Sequence, residues 1–414
     1  MILRRLLLAV VGVLAASPAI AEDQGPLDVE AHRLVLTPHW VTKGVVGQQT
    51  IRLRLREPGR EIGFSDNALE ITSATVGGRP VEVRRGAGRM TFVLPSEGRR
   101  GERLSLKVSY RGTPRRGLIF EPGLVYTSYF TCDWMICDQD RPGDGAVLDL
   151  EVRLPDGGQL ASGATRSRAY PAYLYGFAAG RFERARLPGG GEVLSGERSA
   201  AELRTLFAPT PAMAAFFAGK AGIPLRPGYW QLLSRASQAQ EGAGFSIIGE
   251  PELLPILATP EEDWAIAHEL AHQWWGGLLT CETWREMWLN EGFATFMTAA
   301  WKEHRWGRAA YEREIALARR RLAASAAAVF DKPLAWSGTY PSLGVRRGVV
   351  YSKGALFLDA LRTRLGDELF WRAVRLYTRR HAGGTVTSAD FERAVEAVAP
   401  GRAADLFRTW VDDI

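Results

Sequence analysis

The segment from Thr259 to Thr295 restricts this chain more than any other, because His268-Glu269-Leu270-Ala271-His272 sets two histidines and a glutamate at helical spacing. Residues four apart on an α-helix leave the same face with Cβ atoms roughly 5–6 Å apart, so both imidazoles can reach one small cation. Zn²⁺ takes imidazole nitrogen at about 2.0–2.1 Å. Glu269 lies near that point but off the ligand line, where a base can accept a proton from an attacking water. Thr259, Pro260 and Glu262 predict an N-cap, an N1 proline and the N3 acid of a capping box, and Gly276 with Gly277 predicts the stop. The competing reading is a chance pair of histidines on an amphipathic helix. The whole chain has only 6 histidines, and two of them flank a glutamate at ligand spacing, which favours the metal.

A catalytic zinc site needs a third protein ligand and leaves its fourth position to solvent. The extended HExxHxxGxxH pattern is excluded, since Trp275 and Leu278 stand at its glycine and third histidine. Cys281, Glu282, Glu286 and Glu291 remain. Glu291 opens the next apolar helical run (Phe293, Ala294, Phe296, Met297, Ala300, Trp301), and Gly292 beside it allows close approach of another backbone.

HELAHQWWGG (His268 to Gly277) followed by WLNEGFA (Trp288 to Ala294) resembles the gluzincin zinc aminopeptidases, the family of membrane alanyl aminopeptidase and leukotriene hydrolase, as a short, divergent bacterial-type member. The resemblance implies a metallopeptidase that hydrolyses peptide bonds through a zinc-activated water. One Zn²⁺ per chain would be held by His268, His272 and Glu291, with Glu269 as general base. It also implies a role for Tyr351 in VVYSKGALFLDAL, which matches the family's YxKGA segment and would stabilise the oxyanion of the transition state. By pattern alone Tyr351 is an ordinary residue at a helix start and Lys353 is solvated; Tyr340 is the fallback donor. Thr295 is expected either to orient a ligand or to satisfy its own helix.

In that family the acid of a GxMEN strand holds the substrate's free amine. The stretch Gly242-Ala243-Gly244-Phe245-Ser246 puts Phe245 at the acid's place. Gly242, Ala243 and Gly244 are expected to let substrate approach the backbone, and Glu241 and Glu250 flank the strand as replacements for the missing acid. The second amine contact of the family is not evident in Tyr126 to Met135. Aminopeptidase action therefore stands beside two alternatives: a hydrolase that needs no free N-terminus, and a zinc-binding scaffold without turnover.

The remaining sequence sets the frame. Met1 to Ala21 carries Arg4 and Arg5, an apolar run and Ala19-Ile20-Ala21, which reads as a secretory signal peptide and implies a periplasmic or secreted protein. No later stretch is long enough to cross a bilayer. The formal charge of +6, or +4 without the two leader arginines, is spread thinly and forms no nucleic-acid footprint, so the expected partner is a peptide. Cys132 and Cys137 are close enough to bridge; Cys281 reads as a buried hydrophobe. Nothing in the pattern indicates an oligomeric state.

Residues 22–197 alternate as strands (Ile51, Leu53, Leu55; Leu104, Leu106, Val108; Leu148, Leu150, Val152) with turns at Gly77-Gly78, Gly86 to Gly88 and Gly157-Gly158, predicting an antiparallel β domain. CDQDRPGDGAVLDLEVRLPDG and PAYLYGFAAGRF within it are similar to strands of the family's N-terminal saddle-like domain. From residue 198 to 414 helices dominate, with short strands near Tyr229 to Leu233 and Gly242 to Ile248. The expected fold is α+β, a β saddle-like domain followed by a thermolysin-like, mainly helical domain. The chain ends at Ile414, so the long C-terminal helical domain of many relatives is expected to be missing.

Overall fold

Alternating apolar and polar side chains drive the first half of the chain into sheets that bury one face. The computed structural model describes residues 25–327 and 330–412, so the expected leader Met1 to Ala21 lies outside the described residues. Leu27–His39, Gly44–Leu55 and Arg103–Gly112 are consecutive neighbours in a six-stranded sheet. Ile51, Leu53, Leu106 and Val108 point from it into a core shared with Ile62, Phe64 and Phe92 of a three-stranded sheet (Gly59–Ser65, Arg89–Gly98, Glu82–Gly86). The expected antiparallel character fails at one edge. Val147–Val152 pairs parallel to Leu27–His39, which the long excursion between them permits because parallel neighbours need a crossover. Cys132 and Cys137 are joined in a disulfide, and Cys281 is free and buried.

His32 carries a pH dependence within this sheet. The Gln49 amide orientation is set by Ile136, whose carbonyl accepts from Nε2 at 2.7 Å and whose N–H donates to Oε1 at 2.9 Å. Nε2 therefore also donates to His32 Nδ1 at 3.0 Å, which needs the neutral ring. Burial lowers the His32 pKa to about 4. The unfolded chain binds this proton more tightly, so stability is full above about pH 6.5 and falls as the pH drops from there toward 4, by roughly 3 kcal/mol in all. Urea unfolding of wild type and His32→Gln between pH 4 and 7 checks this: the substitution removes that part of the slope.

A five-stranded mixed sheet joins the two halves. In order it contains Glu183–Arg186, Glu192–Ser195, Trp230–Ser234, Phe245–Gly249 and Ala239–Gly242. LPGGGE (187–192) turns between the first two strands. Residue 197 lies in the crossover between Glu192–Ser195 and its parallel partner Trp230–Ser234, inside a single sheet. That crossover carries helix Ala200–Leu206, opened by a Ser199–Glu202 capping box, and helix Thr210–Ala221, closed by left-handed Gly222. The helical body follows, with Trp288–Trp306 surrounded by Trp264–Ala271, Arg308–Ala327, Gly354–Leu365 and Asp367–Arg380. Its core is aromatic, with Phe293, Phe296, Phe357, Tyr377 and Phe391 all fully buried. Trp284 closes the seam between halves: its indole N–H donates to the Gln139 carbonyl at 3.1 Å, and its ring lies 5.3 Å from Tyr173. No helix of the described residues is long and apolar enough to cross a membrane.

Candidate metal centre

The histidine helix runs over Trp264–Ala271, shorter at its start than the capping pattern implied. Thr259 and Glu262 instead close a turn, Glu262 N–H to Thr259 carbonyl at 2.8 Å, and Asp263 precedes the first helical residue without capping it. The Asp263 carboxylate is used elsewhere, accepting from the Trp301 indole at 2.7 Å, and so ties this helix to Trp288–Trp306. At the other end Gly276, with φ of +132°, and Gly277 do turn the chain away, Gly277 N–H bonding to the His272 carbonyl at 2.7 Å.

His268, His272 and Glu291 come together from the two helices, one donor atom from each lying within 4.8 Å of the others. His268 Nε2 is 3.2 Å and His272 Nε2 is 3.4 Å from Glu291 Oε2. Bonds of about 2.1 Å to one tetrahedral ion would set donors about 3.4 Å apart, so this spacing fits Zn²⁺. His272 Nδ1 faces the Trp275 carbonyl at 3.1 Å, which holds the proton there and leaves Nε2 as the inward donor. Of the other third-ligand candidates, the Cys281 thiol contacts the Glu286 carbonyl at 3.1 Å, and Glu286 accepts from Ser388 N–H at 2.9 Å. Thr295 satisfies its own helix by donating to the Glu291 carbonyl at 2.8 Å.

A second group overlaps the first: Glu241, Glu269 and His272 also offer donor atoms within 4.8 Å of one another. Three buried carboxylates thus face two imidazoles. Burial opposes charge on His272, but Glu241, Glu291 and Glu269 outweigh it and raise the ring to about 10. Burial pushes Glu269 well above the usual carboxylate range, and its Oε2 has no hydrogen-bond partner. Glu291 moves the opposite way: burial would raise it, and hydrogen bonds from His268 and His272 hold it below the ordinary range. An excess of buried negative charge beside an orphaned oxygen is what a bound divalent cation neutralises.

Tyr351 completes the wall. Its hydroxyl donates to Glu291 Oε1 at 2.6 Å, and its ring is parallel to that of His268 at 6.0 Å. It belongs to a wide helical turn, Arg347–Lys353, and just beyond it the chain meets the Glu291 helix backbone on backbone at Gly354. A Cβ on Gly292 would stand 2.9 Å from Gly354 Cα, and one on Gly354 would stand 2.8 Å from Gly292 Cα. Lys353 is not solvated as its pattern suggested; it is buried and bonds Asp331 Oδ1 at 2.9 Å. Tyr340 packs 5.6 Å from Phe330.

The hairpin Ala239–Gly242/Phe245–Gly249 corrects the reading of the anchor strand. Phe245 is fully buried and stacked on Trp230 at 4.6 Å, outside the metal centre. Glu241 is the residue that faces it, and Asn290 Nδ2 donates to its Oε1 at 3.3 Å. Glu250 is taken by Arg198 at 2.6 Å. Gly242, Ala243 and Gly244, expected to meet substrate, use their backbone groups inside the chain. Gly242 carbonyl accepts from Gln273 Nε2 at 3.2 Å, Gly244 N–H donates to Gln273 Oε1 at 3.2 Å, and Ala243 N–H donates to Leu174 at 2.9 Å. Gln273, immediately after His272, therefore clips the hairpin to the histidine helix and sets Glu241 in place. Neither Gln273 nor Asn290 was singled out from the sequence; their positions beside His272 and Glu291 were the available signal.

Fold and site together define a class, a gluzincin-type centre with HExxH on one helix, a glutamate on the next, and a tyrosine across from them. Residues 246–410 match the peptidase family M1 domain. Aminopeptidase N of Streptomyces lividans is 30% identical over 155 residues, 36% of this chain and 18% of that protein. Probable aminopeptidase 2 of Sulfurisphaera tokodaii is 32% identical over 155 residues, 35% and 19% respectively. The chain thus spans less than a fifth of the length of these relatives. An M1 zinc metallopeptidase from Deinococcus radiodurans superposes with a TM-score of 0.76 at 25% identity, covering 94% of each chain. A mutant of it was solved bound to a Tyr-Ser-Ala substrate, at a TM-score of 0.74. Residues 246–410 thus carry a peptidase family M1 domain, and over that stretch the chain is similar to the gluzincin aminopeptidases.

Proposed function

We propose that this chain is an exported zinc aminopeptidase that removes residues from the free N-terminus of short peptides. His268, His272 and Glu291 would hold one Zn²⁺. When bound, the ion supplies Lewis acidity, lowering the pKa of water and polarising the scissile carbonyl. The chain's own groups do the rest. Glu269 takes the proton of the attacking water and delivers it to the departing amine. The Tyr351 hydroxyl turns from Glu291 toward the carbonyl oxygen as charge builds there. Glu241 pairs with the substrate's α-ammonium.

The observation that carries the aminopeptidase reading is Glu241, a carboxylate only 7% exposed and lying within 4.8 Å of donor atoms of Glu269 and His272. A buried acid at that distance from the reaction limits how much chain can precede the scissile bond. Export is supported by the leader pattern of residues 1–21 and by the Cys132–Cys137 disulfide, a bond that persists in oxidising compartments.

The test offers purified mature protein N-terminally free and N-acetylated fluorogenic peptides, with zinc and after chelation. Cleavage of free peptides far faster than of acetylated ones, lost on chelation and restored by zinc, is the expected outcome. Equal cleavage of acetylated peptides would transfer the assignment to a hydrolase indifferent to the amine; zinc binding without any cleavage would leave a scaffold.

A further inference from the structure

A cavity of about 460 Å³ opens along the seam between the β half and the helical body. Its charged lining is unevenly paired. Asp66 is bound by Arg85, Asp140 by Arg89 at 2.9 Å, and Asp133 accepts from the Arg116 backbone N–H at 2.8 Å. Arg346 also lines the cavity, is half-buried, and has no carboxylate within ion-pair distance among the described residues. Tyr129 and Tyr340 line the same cavity with it.

The helical run of Arg346 leads to the metal centre. Tyr351, further along it, bonds Glu291. Arg346 precedes Tyr351 by five residues on one continuous helical run, Leu343–Arg346 into Arg347–Lys353. That separation is roughly 7 Å along the axis. An extended tripeptide spans about 10 Å. A peptide whose ammonium is at Glu241 and whose first carbonyl is at Tyr351 therefore ends within reach of the Arg346 guanidinium.

We propose that Arg346 captures a carboxylate carried by the substrate downstream of the scissile bond, above all the free C-terminus of a di- or tripeptide. The proposal rests on the peptidase reading above for its direction along the cavity. Arginine suits this task because its planar fork matches both oxygens of a carboxylate. Length is thereby selected: only a short peptide satisfies Glu241 with its amine and Arg346 with its carboxylate together.

The test is a binding measurement, so that it does not depend on turnover. Zinc-loaded Glu269→Gln protein is titrated calorimetrically with a neutral tripeptide as the free acid, with its C-terminal amide, and with an amide carrying Glu at the third position. The free acid should bind about 10- to 100-fold tighter than the neutral amide, the range of a hydrogen bond to a charged group. In the Glu269→Gln/Arg346→Gln protein the ratio should fall to about one, and with Arg346→Lys it should be partly kept. Tight binding of the Glu amide would assign the same site to a side-chain carboxylate. Equal affinity of the parent protein for all three peptides overturns the proposal, as does a ratio that survives Arg346→Gln. Retained zinc stoichiometry and circular dichroism show that each variant is folded. If wild type hydrolyses none of the peptides while the acid-to-amide ratio stands, the peptidase reading falls and the carboxylate site remains.

Discussion

Glu269→Gln lowers kcat on an unblocked peptide by about 10²- to 10⁴-fold, the usual worth of a general base, and leaves zinc uptake at one ion per chain. The amide has the shape of the carboxylate, so the packing of a side chain only 3% exposed is retained while its capacity to accept a proton is lost. Glu269 is not among the three donors that face one another at 3.2 and 3.4 Å, so the metal keeps its ligands. His268→Ala makes the contrast: it removes a ligand and should lose the metal together with activity. Metal analysis beside steady-state kinetics separates the two. Undiminished kcat in Glu269→Gln would leave Glu241 as the buried acid near His272 that is not a proposed metal ligand, and the division of roles proposed for the two glutamates would have to be reversed.

What could be read from the sequence was local. His268, Glu269 and His272 share one helix, and helical spacing alone fixes their relative directions, so their convergence needs no tertiary knowledge. Gly292 was legible for a related reason: a glycine beside a buried ligand signals a close backbone, and the backbone turned out to be that of Gly354. Residues placed by pairing between distant elements were not legible in this way. Matching Gly242 to the glycine of the family's GxMEN strand puts Phe245 at the acid's place. In a hairpin, however, register decides which face each residue takes, and Glu241 opposite Ser246 is the one turned toward His272. The start of the histidine helix departs from its pattern because a proline and two polar side chains suit a turn as well as a cap, and Asp263 is engaged by Trp301. The parallel pairing of Val147–Val152 follows from where the chain re-enters the sheet, which strand periodicity does not encode.

Glu241→Gln should reduce kcat/KM on free-amine peptides by about 10²- to 10⁴-fold and should collapse the preference for free over N-acetylated peptides. The magnitude follows from the cost of leaving one charge of a buried pair without its partner, about 3–5 kcal/mol. Gln retains the size of the side chain and can still meet Asn290 Nδ2, which contacts Glu241 at 3.3 Å, so the hairpin clipped by Gln273 should hold its form. The acetylated peptide is the informative arm, because it has no ammonium to lose. If Glu241 served only to shape the cavity, both peptides would suffer alike and their ratio would stay constant. If it serves as the ammonium's partner, the free peptide alone falls, and a KM effect appears together with a kcat effect, since a loosely held N-terminus also misplaces the carbonyl relative to Glu269 and Tyr351. A constant ratio across Glu241→Gln would thus remove the structural ground for calling this an aminopeptidase while leaving the metal, Glu269 and hydrolysis in place.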